Sequence, residues 1–372
     1  MDSYQLLSKL IAIKSVFPDE IDLSAFLEKR LAELGFTVEI VTSDSSRRNI
    51  VATFGSAKHY LALYGHMDTV TPDPHYSQDP YKVQRDGNVA HGLGVADMKG
   101  GIVAILQLAQ FASSNNLPVK IVFGVDEENI SQGAHDLVNA GVLGDVDFLI
   151  SAESGQVKDI HQQYSICYGR RGRIAVRITV KGKRAHAAES HKAINAITSC
   201  ASLVTLLSTV SFPQDRHLGS TNMVVHSITG AADSFSVPDE CSIVLSALTT
   251  PSTKHSQVIQ KLEALARDHD INVAVEPLPR PTPYGESYAV DPDNVYLKLI
   301  EKQIFAKDKA YPMYAESVAD ENIFANRLRI PVISLGPVGG GDHTADEWVS
   351  LASIDKASDT YERILQLYCG IN

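Results

Sequence analysis

The stretch YLALYGHMD, residues 60–68, is a short apolar run that ends in a histidine and an aspartate. An uninterrupted run of this length is typical of a strand that is buried on both faces of a sheet. Similar runs lie at residues 37–41, 49–54, 119–125 and 146–151, and a helical pattern covers about residues 99–113. Strands that alternate with helices predict an α/β domain with a largely parallel, doubly wound sheet.

A different order of elements follows from about residue 173. The patterns indicate strand, helix, strand, strand, helix and strand, with the first helix at residues 191–207, which is the order of a ferredoxin-like α+β unit. The proline-rich run PLPRPTPYGE, residues 277–286, then leads back to helical patterns and a final helix at residues 354–367. We predict a smaller domain, residues 170–280, inserted into a larger domain formed by residues 1–169 and 281–372.

Length and composition exclude several classes of protein. The 372 residues suffice for roughly two to three domains, and 44% hydrophobic residues are ample for packed cores. A formal net charge of −11 disfavours nucleic acid as a partner. The four cysteines show no C-x-x-C spacing, and the sequence shows neither a leader peptide nor a membrane-spanning run. We therefore expect a cytoplasmic protein that does not bind membranes.

Acidic and histidine side chains follow the ends of several predicted strands, and one aspartate lies in a glycine-rich loop. They are His66, Asp68, Asp97, Glu127, Glu128, Glu153 and His343. Because the carboxyl ends of strands in an open α/β sheet form the ligand crevice, we expect these side chains to converge. Carboxylates crowded at one edge would repel each other unless a cation held them.

Taken singly, each of these residues also has a purely structural interpretation. His66 could be a hydrogen-bonded histidine at a strand end, and Asp97 could cap a helix. The acidic run at residues 126–128 could be a solvated loop or the first turn of a helix, stabilised by the helix dipole. The functional interpretation depends on all of them meeting at one place.

Six segments together resemble the M20 zinc amidohydrolases and peptidases. They are LALYGHMDTV (61–70), GLGVADMKGG (92–101), VDEE (125–128), SAES (151–154), KGKRAHAAESHKAINAI (181–197) and GPVGGGDHTADEW (336–348). The resemblance covers nearly the whole chain. It implies a zinc-peptidase-like α/β catalytic domain with an inserted ferredoxin-like α+β domain that serves as a lid and for dimerisation.

The resemblance also implies a metal site. Carried over position by position, it makes Asp97 the bridge between two metal ions. His66 and Glu153 complete one site, and His343 and Glu128 complete the other. Nitrogen and oxygen ligands of this kind suit zinc, so two Zn²⁺ per chain are expected, while Co²⁺ or Mn²⁺ would also fit.

Three catalytic roles follow from the same resemblance. Glu127 matches the general base that moves a proton from the metal-bridging water to the leaving amine. Asp68 matches the residue that accepts a hydrogen bond from the His66 imidazole and fixes its tautomer. His186 matches a histidine that stabilises the oxyanion from a partner subunit, so a homodimer is expected. Without the family, His186 would be a surface histidine in a basic loop.

The chain departs from the family in the inserted domain. Ala231 and Phe235 replace the usual glycine and asparagine, and Leu248 stands where relatives carry an arginine that binds the substrate carboxylate. Glu316 lies in the run AESVADEN, where it is either a solvated loop charge or a selector of a basic amine. The candidate substrate-binding residues are Asn222, Arg280 and Glu316.

The sequence therefore predicts a metal-dependent hydrolase that cleaves the amide bond of a small N-acyl amino acid, of the deacetylase or desuccinylase type. A dipeptidase or carboxypeptidase of the same family is the alternative, because such enzymes differ in pocket rather than in catalytic residues. A metal-binding interaction protein without activity is the alternative from another class, and the presence of Glu127 argues against it.

Overall fold

A computed structural model describes residues 1–43, 47–156, 165–303 and 311–371, and the chain forms two compact units. Unit 1 comprises Met1–Gly169, Val290–Met313 and Ala319–Asn372, and unit 2 comprises Arg170–Ala289 and Tyr314–Val318.

The helices of the described residues, in chain order, are α1 (Ser3–Ala12), α2 (Ile21–Glu33), α3 (Gly100–Asn115), α4 (Gln132–Asn139), α5 (Ala196–Leu206), α6 (His255–Asp268), α7 (Val295–Gln303), α8 (Glu321–Leu328) and α9 (Leu351–Ile371). A π-type turn, Val95–Lys99, precedes α3, and two 3-10 turns lie at Ala187–Lys192 and Leu207–Thr209.

The strands are β1 (Thr37–Thr42), β2 (Arg48–Phe54), β3 (Tyr60–His66), β4 (Gln84–Asp86), β5 (Val89–His91), β6 (Val119–Gly124), β7 (Val146–Ser151), β8 (Gly155–Gln156), β9 (Ser165–Arg170), β10 (Gly172–Lys181), β11 (Gln214–Asp215), β12 (Gly219–Ser220), β13 (Asn222–Thr229), β14 (Glu240–Thr249), β15 (Val273–Pro277), β16 (Tyr288–Ala289), β17 (Tyr311–Ala315), β18 (Val332–Ser334), β19 (Val338–Gly340) and β20 (Trp348–Ser350).

Within unit 1 the main sheet runs in the order β1, β2, β6, β3, β7, β18, β9. Its four central strands, β6, β3, β7 and β18, are mutually parallel, and all seven residues of β3 are buried. The strands β1 and β2 form an antiparallel pair, and β2 also pairs with β6 in antiparallel fashion. The α/β fold class is confirmed, but the prediction of a largely parallel sheet holds only for its centre.

Helix α3 packs against this sheet and against α9. Gly101 at its start allows a close approach, because a Cβ there would lie 2.9 Å from the Cβ of Ala152 and closer still to its carbonyl oxygen. Within the described residues, the helical stretch Val95–Asn115 is the one long and apolar enough to span a membrane. Because 78% of it is buried inside the fold, we interpret it as a core helix.

Unit 2 contains a four-stranded antiparallel sheet in the order β13, β14, β10, β15. This is the strand order of a ferredoxin-like unit, and α5 and α6 cover one face through Cys200, Leu203, Val258 and Leu262. The predicted inserted α+β fold is confirmed. The predicted helix at residues 191–207 begins late, at Ala196, because the Asn195 side chain accepts hydrogen bonds from the amides of Ile197 and Thr198 and so caps it.

Candidate metal centre

Strand ends of unit 1, together with the turn before α3, bring the predicted metal ligands to one place. His66 is the last residue of β3, while Glu128 follows β6 and Glu153 follows β7. His343 follows β19, and Asp97 lies in the π-type turn before α3. The strands β6, β3 and β7 are parallel neighbours in the main sheet, whereas β19 belongs to a separate five-stranded sheet of the order β4, β5, β20, β19, β8. Residues that are far apart in sequence therefore meet at the carboxyl ends of the parallel strands, and His343 joins them from the second sheet.

The turn that carries Asp97 has an unusual backbone. Gly94 adopts a φ of 77°, and a Cβ at this position would lie 2.7 Å from Cγ2 of Thr69, so a glycine is required. The peptide bond between Asp97 and Met98 is cis. This turn brings the Asp97 carboxylate to the end of β3.

The two oxygens of Asp97 face two different histidines. Oδ1 lies 2.9 Å from Nε2 of His66, and Oδ2 lies 3.3 Å from Nε2 of His343. Glu153 Oε1 lies 3.4 Å from the same nitrogen of His66, and Glu128 Oε2 lies 3.0 Å from that of His343. The structure therefore forms two groups of donor atoms that share one carboxylate.

The tautomer of His66 also suits a cation. Nδ1 of His66 lies 3.0 Å from the backbone oxygen of Asp68, and because a carbonyl oxygen only accepts, Nδ1 donates the proton. Nε2 is then free to bind a cation among the carboxylate oxygens, which is the arrangement that orients metal-binding histidines.

The acidic and histidine side chains of this cluster shift one another's pKa values. Burial and the nearby charge of Asp97 raise the pKa of Glu153 to about 7. Hydrogen bonds to Asp97 and Glu128 raise the pKa of His343 to about 10. Burial raises the pKa of Glu127 well above its usual value. The carboxylates thus attract positive charge to the centre, as expected for a cation site.

Asp68 makes contacts that differ from the prediction. Its Oδ1 is 3.6 Å from Nδ1 of His66, and the closer contact of that ring is to the backbone of Asp68. The Asp68 carboxylate instead accepts hydrogen bonds from the backbone amides of Glu127, at 3.2 Å, and Glu128, at 2.9 Å. Asp68 therefore holds the backbone of the acidic loop, in addition to lying beside His66.

The loop is also held by an arginine that the sequence analysis did not select. Arg47 is buried, and its Nη1 donates to Oδ1 of Asp126 at 2.7 Å and lies 3.8 Å from Glu20. Oδ2 of Asp126 accepts from the amide of Gln132 at 2.8 Å. Asp126, with a φ of 72°, directly precedes Glu127, so this ion pair fixes the start of the acidic loop.

Four of the predicted site residues belong to unit 2, and three of them are His186, Asn222 and Arg280. His186 is exposed, and its Nδ1 accepts a hydrogen bond from the amide of Ala188 at 3.1 Å. Asn222 begins β13 and pairs in register with Leu248. Arg280 donates to the Thr282 hydroxyl at 2.7 Å and lies over a neighbouring tyrosine ring. The functional roles of His186, Asn222 and Arg280 stay predictions.

Glu316, also in unit 2, is paired. Arg171 is buried, and its Nε donates to Oε2 of Glu316 at 2.6 Å. Other guanidinium nitrogens of Arg171 donate to the backbone oxygens of Leu218 and Ser220. Arg171 therefore offsets part of the charge of Glu316, and the role of Glu316 as a selector of basic amines stays a prediction.

The donor set fits a metal pair. Two sets of ligand atoms, one from His66, Asp97 and Glu153 and one from Asp97, Glu128 and His343, lie close enough to hold one ion each. A third set joins Glu127 to His66 and Glu128, so Glu127 lies within reach of the same centre. Imidazole nitrogens and carboxylate oxygens are ligands that zinc accepts.

Known proteins resemble the chain over nearly its full length. Succinyl-diaminopimelate desuccinylase from Methylorubrum populi is 27% identical over 381 residues, covering 96% of each protein. Aminopeptidase PepT from Bacillus cereus superposes with a TM-score of 0.78 at 18% identity, covering 98% of this chain and 97% of that one. A dinuclear metal binding peptidase of Bacillus subtilis superposes with a TM-score of 0.72 at 16% identity, covering 99% and 98%.

The family pattern described as peptidase family M20/M25/M40 matches residues 62–367, which include the whole cluster at the sheet edge. The match spans well over half of the chain, and the resemblance in the six sequence segments is confirmed. The chain belongs to peptidase family M20/M25/M40 and is a hydrolase of that family.

Proposed function

We propose that this chain is a two-metal amidohydrolase that cleaves the amide bond of a small N-acyl amino acid. The observation that carries the proposal is the Asp97 carboxylate, whose two oxygens lie 2.9 Å and 3.3 Å from the nitrogens of two different histidines. A carboxylate in this position can bridge two cations, and each cation then has one histidine and one glutamate of its own.

Two Zn²⁺ ions are the metals we expect, with His66, Asp97 and Glu153 holding one and Asp97, Glu128 and His343 holding the other. When bound, such a pair polarises the scissile carbonyl and lowers the pKa of a water molecule. The chain itself then needs no serine or cysteine nucleophile.

Glu127 is the residue we assign as general base. It lies within reach of the centre, and the two groups of ligand atoms around Asp97 are complete without it. Its backbone amide is held by the Asp68 carboxylate, so the side chain is presented from a fixed loop. Glu127 takes a proton from the attacking water and donates it to the leaving amine, so the amine departs neutral.

The substrate class rests on the relatives. Proteins named succinyl-diaminopimelate desuccinylase match nearly the full chain at 25–27% identity, which favours an N-acylated amino acid. The second candidate is a short peptide, because solved structures of the same fold include an aminopeptidase. Leu248, in place of an arginine, leaves the recognition of the substrate carboxylate to another group.

A metal and substrate analysis tests the proposal. Protein purified without chelator should carry close to two Zn²⁺ per chain, and chelator should abolish hydrolysis until Zn²⁺ is returned. A panel of N-succinyl, N-acetyl and dipeptide substrates separates the two candidates. Full hydrolysis after complete metal removal would refute the two-metal mechanism.

Glu127→Gln separates the base from a ligand. The variant should keep both metals and lose at least about 10² in kcat, because proton transfer contributes about 10²–10⁴ to such reactions. Loss of metal with retained turnover after Zn²⁺ is added would assign Glu127 as a ligand. Normal turnover together with metal binding would support an unrelated role for this residue.

A homodimer is proposed on the family resemblance of His186. In unit 2 the edge strand β13 exposes Val224 and Ile228, at 51% and 48%, which suits a second copy of the chain. If His186 acts across a subunit boundary, mixing inactive His186→Ala with inactive Glu127→Gln should regenerate activity. A monomer that is fully active at nanomolar concentration would contradict the proposal.

A further inference from the structure

Glu347 is a buried carboxylate that the catalytic proposal does not use. It lies in the segment ADEW, four residues after His343, and is 1% exposed. Its Oε2 accepts a hydrogen bond from the amide of Gly94 at 2.8 Å, and its Oε1 accepts from Ala96 at 2.9 Å and from Asp97 at 3.1 Å. One side chain thus binds three backbone amides in and next to the turn that carries Asp97.

That turn is also anchored by a buried lysine. Lys99 Nζ donates to the backbone oxygens of Leu10, at 3.1 Å, and Ile13, at 2.9 Å, at the end of α1. The amide of Lys99 donates to the oxygen of Gly94 at 2.8 Å and closes the turn. Lys99 thus anchors the end of the turn to α1, while Glu347 binds the amides at its start.

Glu347 also belongs to the turn that carries His343. Its own amide donates to the oxygen of Thr344 at 3.3 Å, and the amide of Thr344 donates to the oxygen of Gly341 at 3.1 Å. The next residue, Trp348, begins β20, which pairs with β5 and β19. The backbone of Glu347 is therefore fixed in the sheet beside the His343 turn.

We propose that Glu347 is a positioning residue that couples the Asp97 turn to the His343 turn and so sets the geometry of the metal site that these two residues share. The inference rests on the proposed two-metal function. The distance from His343 Nε2 to Asp97 Oδ2, 3.3 Å, joins the same two turns, so a shift of either turn changes it. Residues that orient ligands in this way typically affect metal affinity about 10- to 100-fold when they are replaced.

A purely structural role predicts a different outcome. Loss of the three hydrogen bonds would then lower the free energy of unfolding, but the folded protein would bind metal as before. Metal affinity of the folded protein therefore separates positioning from simple stabilisation.

The test uses Glu347→Gln as the decisive variant, because glutamine has nearly the same shape and one oxygen that can still accept from Ala96 and Asp97. Its amide nitrogen cannot accept from Gly94, so one of the three bonds is lost. Glu347→Met removes all three acceptors, and Asp346→Asn is the matched control, since its side chain is exposed on the adjacent position. Zn²⁺ binding is measured by competition with a chelator, together with kcat and KM at limiting and at saturating Zn²⁺.

We expect Glu347→Gln to weaken Zn²⁺ binding about 10-fold or more, and kcat to recover when Zn²⁺ is raised, with Asp346→Asn unchanged. Glu347→Met should lose more affinity, and if it fails to fold, the glutamine variant decides. A folded Glu347→Gln that binds Zn²⁺ within twofold of the wild type would overturn the inference. Absence of Zn²⁺ binding in the wild type would instead overturn the proposed function.

Discussion

Asp68→Asn is the substitution that tests the architecture of the centre most directly. The Asp68 carboxylate is buried and accepts from the amide of Glu127 at 3.2 Å through Oδ1 and from the amide of Glu128 at 2.9 Å through Oδ2. Asparagine has the same shape, but one of its two terminal atoms is an amide nitrogen that only donates. One of the two backbone amides must therefore lose its acceptor.

The size of the effect follows from that single lost bond. A hydrogen bond to a charged acceptor contributes about 1.5–3 kcal/mol net, and the remaining bond is weakened because the acceptor is now neutral. At about 1.4 kcal/mol per factor of ten, this loss corresponds to a rate that is about 10- to 150-fold lower if all of it acts on the position of Glu127. We expect kcat to fall by this factor, with KM changed much less, because the loop carries the base rather than a substrate contact.

The assay compares kcat at saturating Zn²⁺ for the wild type, Asp68→Asn and the control Asp86→Asn, which alters an exposed aspartate of the same unit. Metal content is measured in parallel, because the family role of Asp68 beside His66 predicts loss of metal instead. A kcat within twofold of the wild type would refute the argument that Asp68 holds the acidic loop. A large loss of Zn²⁺ affinity with normal kcat after reloading would favour the His66 role.

Two further predictions concern stability. Gly101→Ala should lower the free energy of unfolding by about 1–3 kcal/mol, because the new Cβ would meet the Ala152 backbone. The control is Gly370→Ala in α9, where a Cβ meets nothing within 4 Å, and it should be neutral or stabilising by up to about 1 kcal/mol. Urea unfolding measures both variants, and equal effects would contradict the packing argument. Burial holds the pKa of His255 below its usual value, although the charge of Glu286 acts in the opposite direction. Because the unfolded chain binds a proton at His255 more readily than the folded chain, the free energy of unfolding should fall as the pH drops below about 6.5. His255→Gln should make urea unfolding less sensitive to pH between 7.5 and 5.5, and an unchanged pH dependence would contradict this assignment.

Local patterns were sufficient for the fold class because most elements are short and strongly apolar. All residues of β3 are buried, as its uninterrupted apolar run predicted, and β6 is buried as well although Lys120 interrupts its apolar run. The direction of the strands was harder to predict from the sequence, because it depends on the length of the connections between them. Only residues 43–47 separate β1 from β2, which is too short for a crossover and makes the pair antiparallel.

The site residues were selected because four predicted strand ends and one glycine-rich loop supplied metal-binding side chains in one order. His66, Glu128 and Glu153 converge because β3, β6 and β7 are parallel neighbours in the main sheet, which is a general property of α/β folds. His343 joins them from β19 of a separate sheet, which the strand patterns did not predict. The sharing of Asp97 between two histidines came from the resemblance, since nothing in the sequence shows which oxygen faces which ring. The specific contacts, such as the amides held by Asp68, depend on loops whose course no periodicity describes.

The residues that hold these loops were the hardest to predict from the sequence, and the chemistry of their contacts explains why. Arg47 and Arg48 are adjacent and identical in type, yet Arg47 is buried against Asp126, while Arg48 pairs with Glu28 at the surface. Glu347 follows Asp346, which is exposed, and only Glu347 turns inward to accept three backbone amides. Every residue except proline has a backbone amide, so the sequence does not indicate which amides a buried side chain will bind. Such residues become visible only when the course of the chain is known, although they set the positions of the side chains that the sequence does reveal.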